Sequence, residues 1–310
     1  MPLIIRGESS TKDILKSEGI KVYDTAPEGV IPRKILLLNL MPEKQETELD
    51  YYRALLTEDV WLEFKLVKMS NLIYKHTPQE YMNRYYKDIC LLMERDEYFD
   101  GMLVSGAPLE RFDFDEILYW DQLTVFFRWA DCHVRSALYI CWSVFARVFY
   151  NWGIHYKHND FQWSGIYHCR LEDKGSLLVD DSKTEILMPV SRPLYLVAEE
   201  LRKAPTMKII ANSDIVGAGL FMAHGGRHIF MLNHPEYSIG RLDFEYKRDL
   251  GKGKNPICPI NYYENDDPSA PIIYSWLPTR QSIYLGWLRQ YVCNSSLDSI
   301  PILPATKIKL

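Results

Sequence analysis

No stretch of the 310-residue sequence stays apolar for the roughly 20 residues a membrane-spanning helix requires; runs such as 35–40 and 101–104 are strand-sized. The opening Met-Pro-Leu-Ile-Ile-Arg lacks the basic region, apolar segment and small-residue cleavage site of a secretory leader, so a cytoplasmic location without a membrane partner is expected. There is no CxxC pair. The six cysteines (Cys90, Cys132, Cys141, Cys169, Cys258, Cys293) are scattered through a chain long enough to build its own core, which predicts free thiols rather than disulfide staples. Nor is there an excess of positive charge: 36 Lys and Arg stand against 41 Asp and Glu, a net charge of -5, which leaves no broad electropositive surface for nucleic acid. Metal-ligand spacing is missing too. His224 and His228 are separated by Gly225 and Gly226, a hairpin signal rather than one helix face, and no thiol or carboxylate set accompanies them, so no metal is assigned. The glycines of 251–254 follow no strand and lack phosphate-loop spacing. Without repeats, low-complexity tracts or a clear linker, residues 1–310 are expected to form a single domain, with 294–310 a candidate C-terminal tail.

What is present is the pattern of an α/β fold. The sequence is 47% hydrophobic, and β-rich runs at 34–40, 63–69, 101–105 and 137–141 alternate with helical segments at 46–56, 79–93 and 117–130. Such alternation predicts a mostly parallel sheet with helices on both faces. Strand-like runs follow one another more closely at 164–169, 185–190, 208–212, 219–223 and 228–232, which predicts added antiparallel strands. A helix is expected at 239–250, a loop at 251–271 and a last helix at 281–292.

Three segments carry candidate chemistry. Residues 137–149 read as a strand up to Cys141 and a helix after it, which would expose the thiol at the carboxyl edge of the sheet, beside a helix N-terminus that favours a thiolate. The flanking glycines of the G-x-S-x-G elbow are absent, and a buried core thiol fits this segment equally well. The second segment ends an apolar strand in His234-Pro-Glu236, where the carboxylate can orient an imidazole that serves a nucleophile. The third is a strand running into Gly106-Ala-Pro-Leu109, a small-residue turn whose backbone N–H groups, with that of Trp142, can face a developing oxyanion; an ordinary βα turn is the alternative.

Taken together, the chain resembles the homoserine O-acyltransferases of methionine biosynthesis, the homoserine trans-succinylases. The matching stretches are Leu38-Asn-Leu-Met-Pro-Glu-Lys44-Gln-Glu-Thr-Glu48, Ser105-Gly-Ala-Pro-Leu-Glu110, Ile140-Cys-Trp142, Ser164-Gly-Ile-Tyr167, Pro189-Val-Ser191-Arg192, His234-Pro-Glu-Tyr237 and Glu245-Tyr-Lys-Arg248-Asp249. Further on, Asn261-Tyr-Tyr-Glu-Asn-Asp-Asp-Pro268 and Trp287-Leu-Arg-Gln-Tyr-Val292 also fit. The resemblance implies a flavodoxin-like fold of the class I glutamine amidotransferase type and a ping-pong reaction through an acyl-cysteine. It implies Cys141 as nucleophile, His234 as general base and Glu236 as its orienting acid. Lys44 matches a lysine near the active site, and Ser191 and Arg248 match substrate-binding positions. It further implies small-molecule substrates, no permanently bound cofactor, acyl-CoA as co-substrate, and a homodimer.

Family members that use succinyl-CoA carry glycine where this chain has Glu110, and those that use acetyl-CoA carry glutamate, so acetyl-CoA is the expected donor. A carboxylate there would crowd and repel the free carboxylate of a succinyl group. At two places the chain departs from the family: Gln162 replaces a usual lysine, and Trp276-Leu-Pro-Thr-Arg-Gln281 replaces Trp-Arg-Ser-His-Gly-Asn. L-Homoserine is the expected acceptor, with L-serine, and hence cysteine synthesis, the alternative. Homoserine O-succinyl transfer also remains open. Amide hydrolysis by a glutamine-amidotransferase-like site is disfavoured because Ile140-Cys-Trp142 lacks flanking glycines. A binding protein that had merely kept the fold would lose the triad, and all three residues are present.

Overall fold

The computed structural model describes residues 2–180 and 182–294; most of the expected tail, 295–310, lies outside the described residues. The chain opens with strand β1 (Leu3–Ile4), helix α1 (Ser10–Ser17) and β2 (Val22–Tyr23). Strands and helices then alternate: β3 (Arg33–Leu38), α2 (Lys44–Ala54), β4 (Leu62–Lys68), α3 (Gln79–Tyr85), β5 (Tyr86–Asp88), α4 (Ile89–Met93), β6 (Phe99–Val104), α5 (Trp120–His133), β7 (Val134–Ile140) and α6 (Trp142–Trp152). A long hairpin of β8 (Lys157–Leu171) and β9 (Glu185–Tyr195) leads through α7 (Ala198–Lys203) to β10 (Lys208–Ser213), β11 (Gly217–Ala223) and β12 (His228–Met231). Helices α8 (Arg241–Gly251) and α9 (Leu277–Trp287) follow, and α9 runs into a π-helical turn, Leu288–Val292.

These strands make one sheet in the order β2-β1-β4-β3-β6-β7-β12-β11-β10-β8-β9, with β5 beside β4. Pairing is parallel from β2 to β12 and antiparallel from β12 to β9, the α/β arrangement the sequence predicts. The central strands read as unbroken apolar runs because both faces are covered; every residue of β7 is buried. One face packs on α2 and α9 through Leu49, Tyr52, Ile283 and Trp287. The other packs on α5 and α6, where Leu123, Phe126, Phe127 and Ala130 recur at helical spacing as a single stripe.

Two local expectations change. The helix expected at 79–93 is interrupted, because Tyr86–Asp88 extends and pairs with β4 while the Asp88 side chain accepts from Cys90 N and starts α4 afresh. Tertiary contact overrides helical propensity here: Tyr86 is buried and donates to Glu48 Oε1 at 2.5 Å. The last helix begins at Leu277, earlier than expected, with Pro278 in its first turn, where the missing N–H costs nothing. Segment 251–271 is mostly irregular, and it is anchored: Gly165 has φ +136, and a Cβ there would lie 2.4 Å from the Ile260 carbonyl oxygen, so only glycine lets the two backbones meet.

Candidate active site

Parallel strands deliver their carboxyl ends to one edge of a sheet, and four adjacent strands do so here. Strand β3 leads to Asn39, β6 to Gly106, β7 to Cys141 and β12 to His234. Cys141 takes φ 53 and ψ -117, a conformation sparsely populated by non-glycine residues. Its N–H donates to Met231 O at 2.9 Å, which ties the elbow to β12, and α6 begins at the next residue. Trp142 therefore holds one of the first-turn amides that have no partner within the helix. Gly106 lies against this elbow: a Cβ on it would sit 3.2 Å from Cys141 Cβ and 3.8 Å from Sγ.

His234 Nδ1 lies 2.6 Å from Glu236 Oε1, and Tyr284 on α9 donates to Glu236 Oε2 at 3.4 Å. The imidazole stacks on Tyr237 with ring centres 4.4 Å apart, and Trp276 Nε1 donates to Tyr237 O at 3.0 Å. Cys141, His234 and Glu236 are all buried. Burial opposes the imidazolium, but the Glu236 carboxylate and the Cys141 sulfur outweigh it and hold the His234 pKa well above the ordinary value. Beneath the site the buried Arg192 guanidinium donates to Val216 O at 2.8 Å and Asn233 Oδ1 at 3.1 Å. Burial pushes its pKa down to about 10, an effect that Cys141 and Cys169 counter.

A cavity of about 460 Å³ opens over Cys141 and His234, and its wall includes Gly106, Glu110, Gln162, Ser191 and Arg248. Burial raises the carboxyl pKa of Glu110, partly offset by its own backbone and by Arg111 and His234. On the opposite wall Gln162 Nε2 donates to Ser191 Oγ at 3.0 Å, and Ser191 Oγ donates to Glu245 Oε2 at 2.7 Å. Tyr237 OH donates to Glu245 Oε1 at 3.0 Å. Arg248 reaches the cavity from α8 with Nε 3.0 Å from Asp249 Oδ1.

Two residues of the expected site, Lys44 and Leu109, stand outside the cavity wall. Lys44 does not line the cavity: it is buried at the start of α2, and its Nζ donates to Asn39 O and Met41 O, each at 2.7 Å. Burial lowers its pKa to about 7, with Glu48 acting in the other direction. It fixes the loop whose Met41 forms part of the wall. The Leu109 N–H is already engaged, donating to Ala107 O at 2.9 Å. Glu245, Tyr237 and Tyr284 were not singled out by sequence reasoning. The first two stand inside quoted motifs, whereas nothing local marks Tyr284, which meets Glu236 only through the packing of α9. Segment 277–281 also contributes no residue to the cavity wall.

Among the described residues no helix is long and apolar enough to cross a membrane. Residues 2–297 match the family model described as homoserine O-succinyltransferase. A homoserine O-acetyltransferase of Phocaeicola vulgatus is 36% identical over 94% of this chain and 96% of its own length. One of Lachnospira eligens is 34% identical over 94% of both chains, as is a homoserine O-succinyltransferase of Shewanella baltica. Among solved structures, a glutamine amidotransferase of Thermotoga maritima is 13% identical with a TM-score of 0.48, over 87% of this chain and all of that one. With the family model matched almost from end to end and relatives above 30% identity along nearly the whole sequence, the chain belongs to the homoserine O-succinyltransferase family.

Proposed function

We propose that this protein is an amino-acid O-acetyltransferase that moves an acetyl group from acetyl-CoA to the hydroxyl of L-homoserine through an acyl-Cys141 thioester. The observation that carries the reading is the arrangement of Cys141, His234 and Glu236 at one cavity whose wall also holds Glu110. The Cys141 thiolate attacks the thioester carbonyl, and the oxyanion forms toward the Gly106 and Trp142 N–H groups. Collapse breaks the bond to CoA, and the His234 imidazolium protonates the departing thiolate. His234, now neutral, takes the proton of the acceptor hydroxyl as its oxygen attacks the acyl-cysteine. The second collapse releases the ester and returns Cys141 to the thiolate. Glu236 keeps Nδ1 protonated and stabilises each imidazolium.

For the acceptor, the Arg248 guanidinium suits the α-carboxylate, and the Glu245 carboxylate suits the α-ammonium. Acetyl rather than succinyl transfer is supported by Glu110, whose carboxyl would meet the distal carboxylate of a succinyl group. L-Serine is the second reading, favoured by the neutral Gln162, whose amide is committed to Ser191. A steady-state assay crossing acetyl-CoA and succinyl-CoA with homoserine and serine decides both choices. The highest kcat/KM is expected for acetyl-CoA with homoserine. Preference for succinyl-CoA would overturn the donor assignment, and the absence of an acetyl mass on the Cys141 peptide after incubation with acetyl-CoA alone would overturn the mechanism.

A further inference from the structure

A second cavity, of about 410 Å³, shares no residue with the Cys141 cavity and lies at a notch in the sheet. Along one edge of β4, β1 pairs only with Leu62 and Glu63, and β5 begins pairing at Leu66. Phe64 and Lys65 therefore face a gap between the two short strands. The wall of this gap carries five cations, Arg6, Lys34, Lys65, Arg84 and Lys87, against two carboxylates, Glu63 and Glu97. Glu97 is shared by Lys34, at 3.4 Å, and Lys65, while Glu63 pairs with Arg6 at 2.5 Å. Arg84 and Lys87 are exposed and have no carboxylate partner among the described residues. A cluster of positive charge on a chain of net charge -5 costs self-repulsion, which a bound anion would relieve.

Aromatic side chains also line the cavity: the Arg84 guanidinium stands 5.4 Å over the Tyr85 ring, Lys65 Nζ stands 5.4 Å over the buried Phe99, and the half-buried Phe64 is on the strand edge. Paired cations and aromatic side chains match a ligand that joins a flat base to phosphate groups, and the volume is within the range of small-molecule sites.

We infer that this notch binds an adenine nucleotide-like polyanion, with Arg84 and Lys87 holding its phosphates. That chemistry has two sources, a free nucleotide and the 3′-phospho-ADP end of a CoA thioester. The binding itself does not rest on the acyl-transfer reading; only the second source does.

The test uses the full chain. Calorimetric titration with ADP and with adenosine 3′,5′-bisphosphate should give saturable binding that weakens as salt is raised. Binding should persist in Cys141→Ala and weaken by about tenfold or more in the Arg84→Ala/Lys87→Ala double variant, whose side chains are exposed and so place little demand on folding. Lys87→Glu should weaken it further than Lys87→Ala. If the double variant also raises KM for acetyl-CoA but not for S-acetylpantetheine, the site serves the donor; if neither KM moves, it serves a free nucleotide. Both outcomes support the site. Absence of saturable binding by either nucleotide, or equal binding by the double variant, overturns it.

Discussion

Replacing Glu236 with Gln keeps the side-chain volume and removes the charge that faces His234. The affected contact is short, 2.6 Å from Glu236 Oε1 to His234 Nδ1, and both groups are buried, so solvent screens little of the interaction. A hydrogen bond to a charged group contributes roughly 1.5–3 kcal/mol, which corresponds to about 10- to 100-fold in rate if it is fully expressed at the barrier. A glutamine that turns its amide nitrogen toward Nδ1 also imposes the wrong tautomer, which in a serine-protease triad costs about 10⁴-fold. The expected loss in kcat/KM lies between these limits. The pH profile gives the sharper signature. Burial favours neutral His234, and Glu236 and Cys141 overcome it; with the Glu236 charge gone, the histidine pKa falls. The proton that must pass to the departing CoA thiolate is then lost as pH rises through the lowered pKa, so the defect in acylation should grow from about pH 6 to about pH 9. Rapid-mixing measurement of CoA release without acceptor isolates that half-reaction. Acylation by Glu236→Gln within about threefold of wild type across the range would refute the reasoning.

Gly106→Ala places a methyl group 3.2 Å from Cys141 Cβ; thermal unfolding should show a loss of about 1–3 kcal/mol and CoA release should slow about tenfold, and no change in either would mean the turn yields freely. Glu110→Gly should raise succinyl-CoA turnover relative to acetyl-CoA in the same steady-state assay, and a fixed donor ratio would remove Glu110 from acyl selection. Gln162→Lys should move the homoserine-to-serine ratio of kcat/KM toward homoserine while acetylation of Cys141 is unchanged; a constant ratio counts against a role in acceptor choice. Asp50 is buried on α2, and its carboxyl pKa is raised to about 7, first by burial, with Glu236 adding to it against the opposing arginines Arg241, Arg53 and Arg280. Because this folded pKa lies above the unfolded one, stability is full at low pH and is lost as pH rises toward about 7. Asp50→Asn should therefore match wild type near pH 4 in melting experiments and exceed it by about 4 kcal/mol above pH 7, the whole of the rise from the ordinary carboxylate range to about 7; a difference independent of pH would contradict the assignment.

Much of this fold was legible because the strands that build the site are its most buried ones. Residues of β3, β6, β7 and β12 face helices on both sides, so each reads as a continuous apolar run that ends where chemistry begins, at Asn39, Gly106, Cys141 and His234. The first strands were not legible: β1 and β2 have two residues each, too few to show a period. The break at Tyr86–Asp88 was hidden for another reason, since the side chain that pays for it, Tyr86, is satisfied by Glu48 on a different helix. The same limit applied at the site. Cys141, His234 and Glu236 announce themselves by position after a strand, but the role of Lys44 depended on where its Nζ points, and composition cannot show that it points at two carbonyls of its own loop.

Where the chain departs from the family pattern, the structure separates two kinds of change. Gln162 is in the cavity wall, in line with Ser191 and Glu245, where on the proposed function an altered side chain would meet the acceptor directly. Segment 277–281 is on the far side of the triad. Trp276 just before it holds the Tyr237 carbonyl, Arg280 donates to Tyr274 OH at 2.7 Å, and Tyr284 one turn later reaches Glu236. Through these contacts, changes there are expected to act on the orientation of His234, which both proposed half-reactions use, and so to scale turnover for every acceptor alike. Homoserine and serine differ by one methylene, a difference that a pocket resolves by about 10- to 200-fold through direct contact. Discrimination of that kind requires atoms that touch the side chain being measured, so the proposed function predicts that the preference between the two acceptors follows substitutions in the wall formed by β8, β9 and α8, while substitutions in the rewritten segment of α9 change turnover for both.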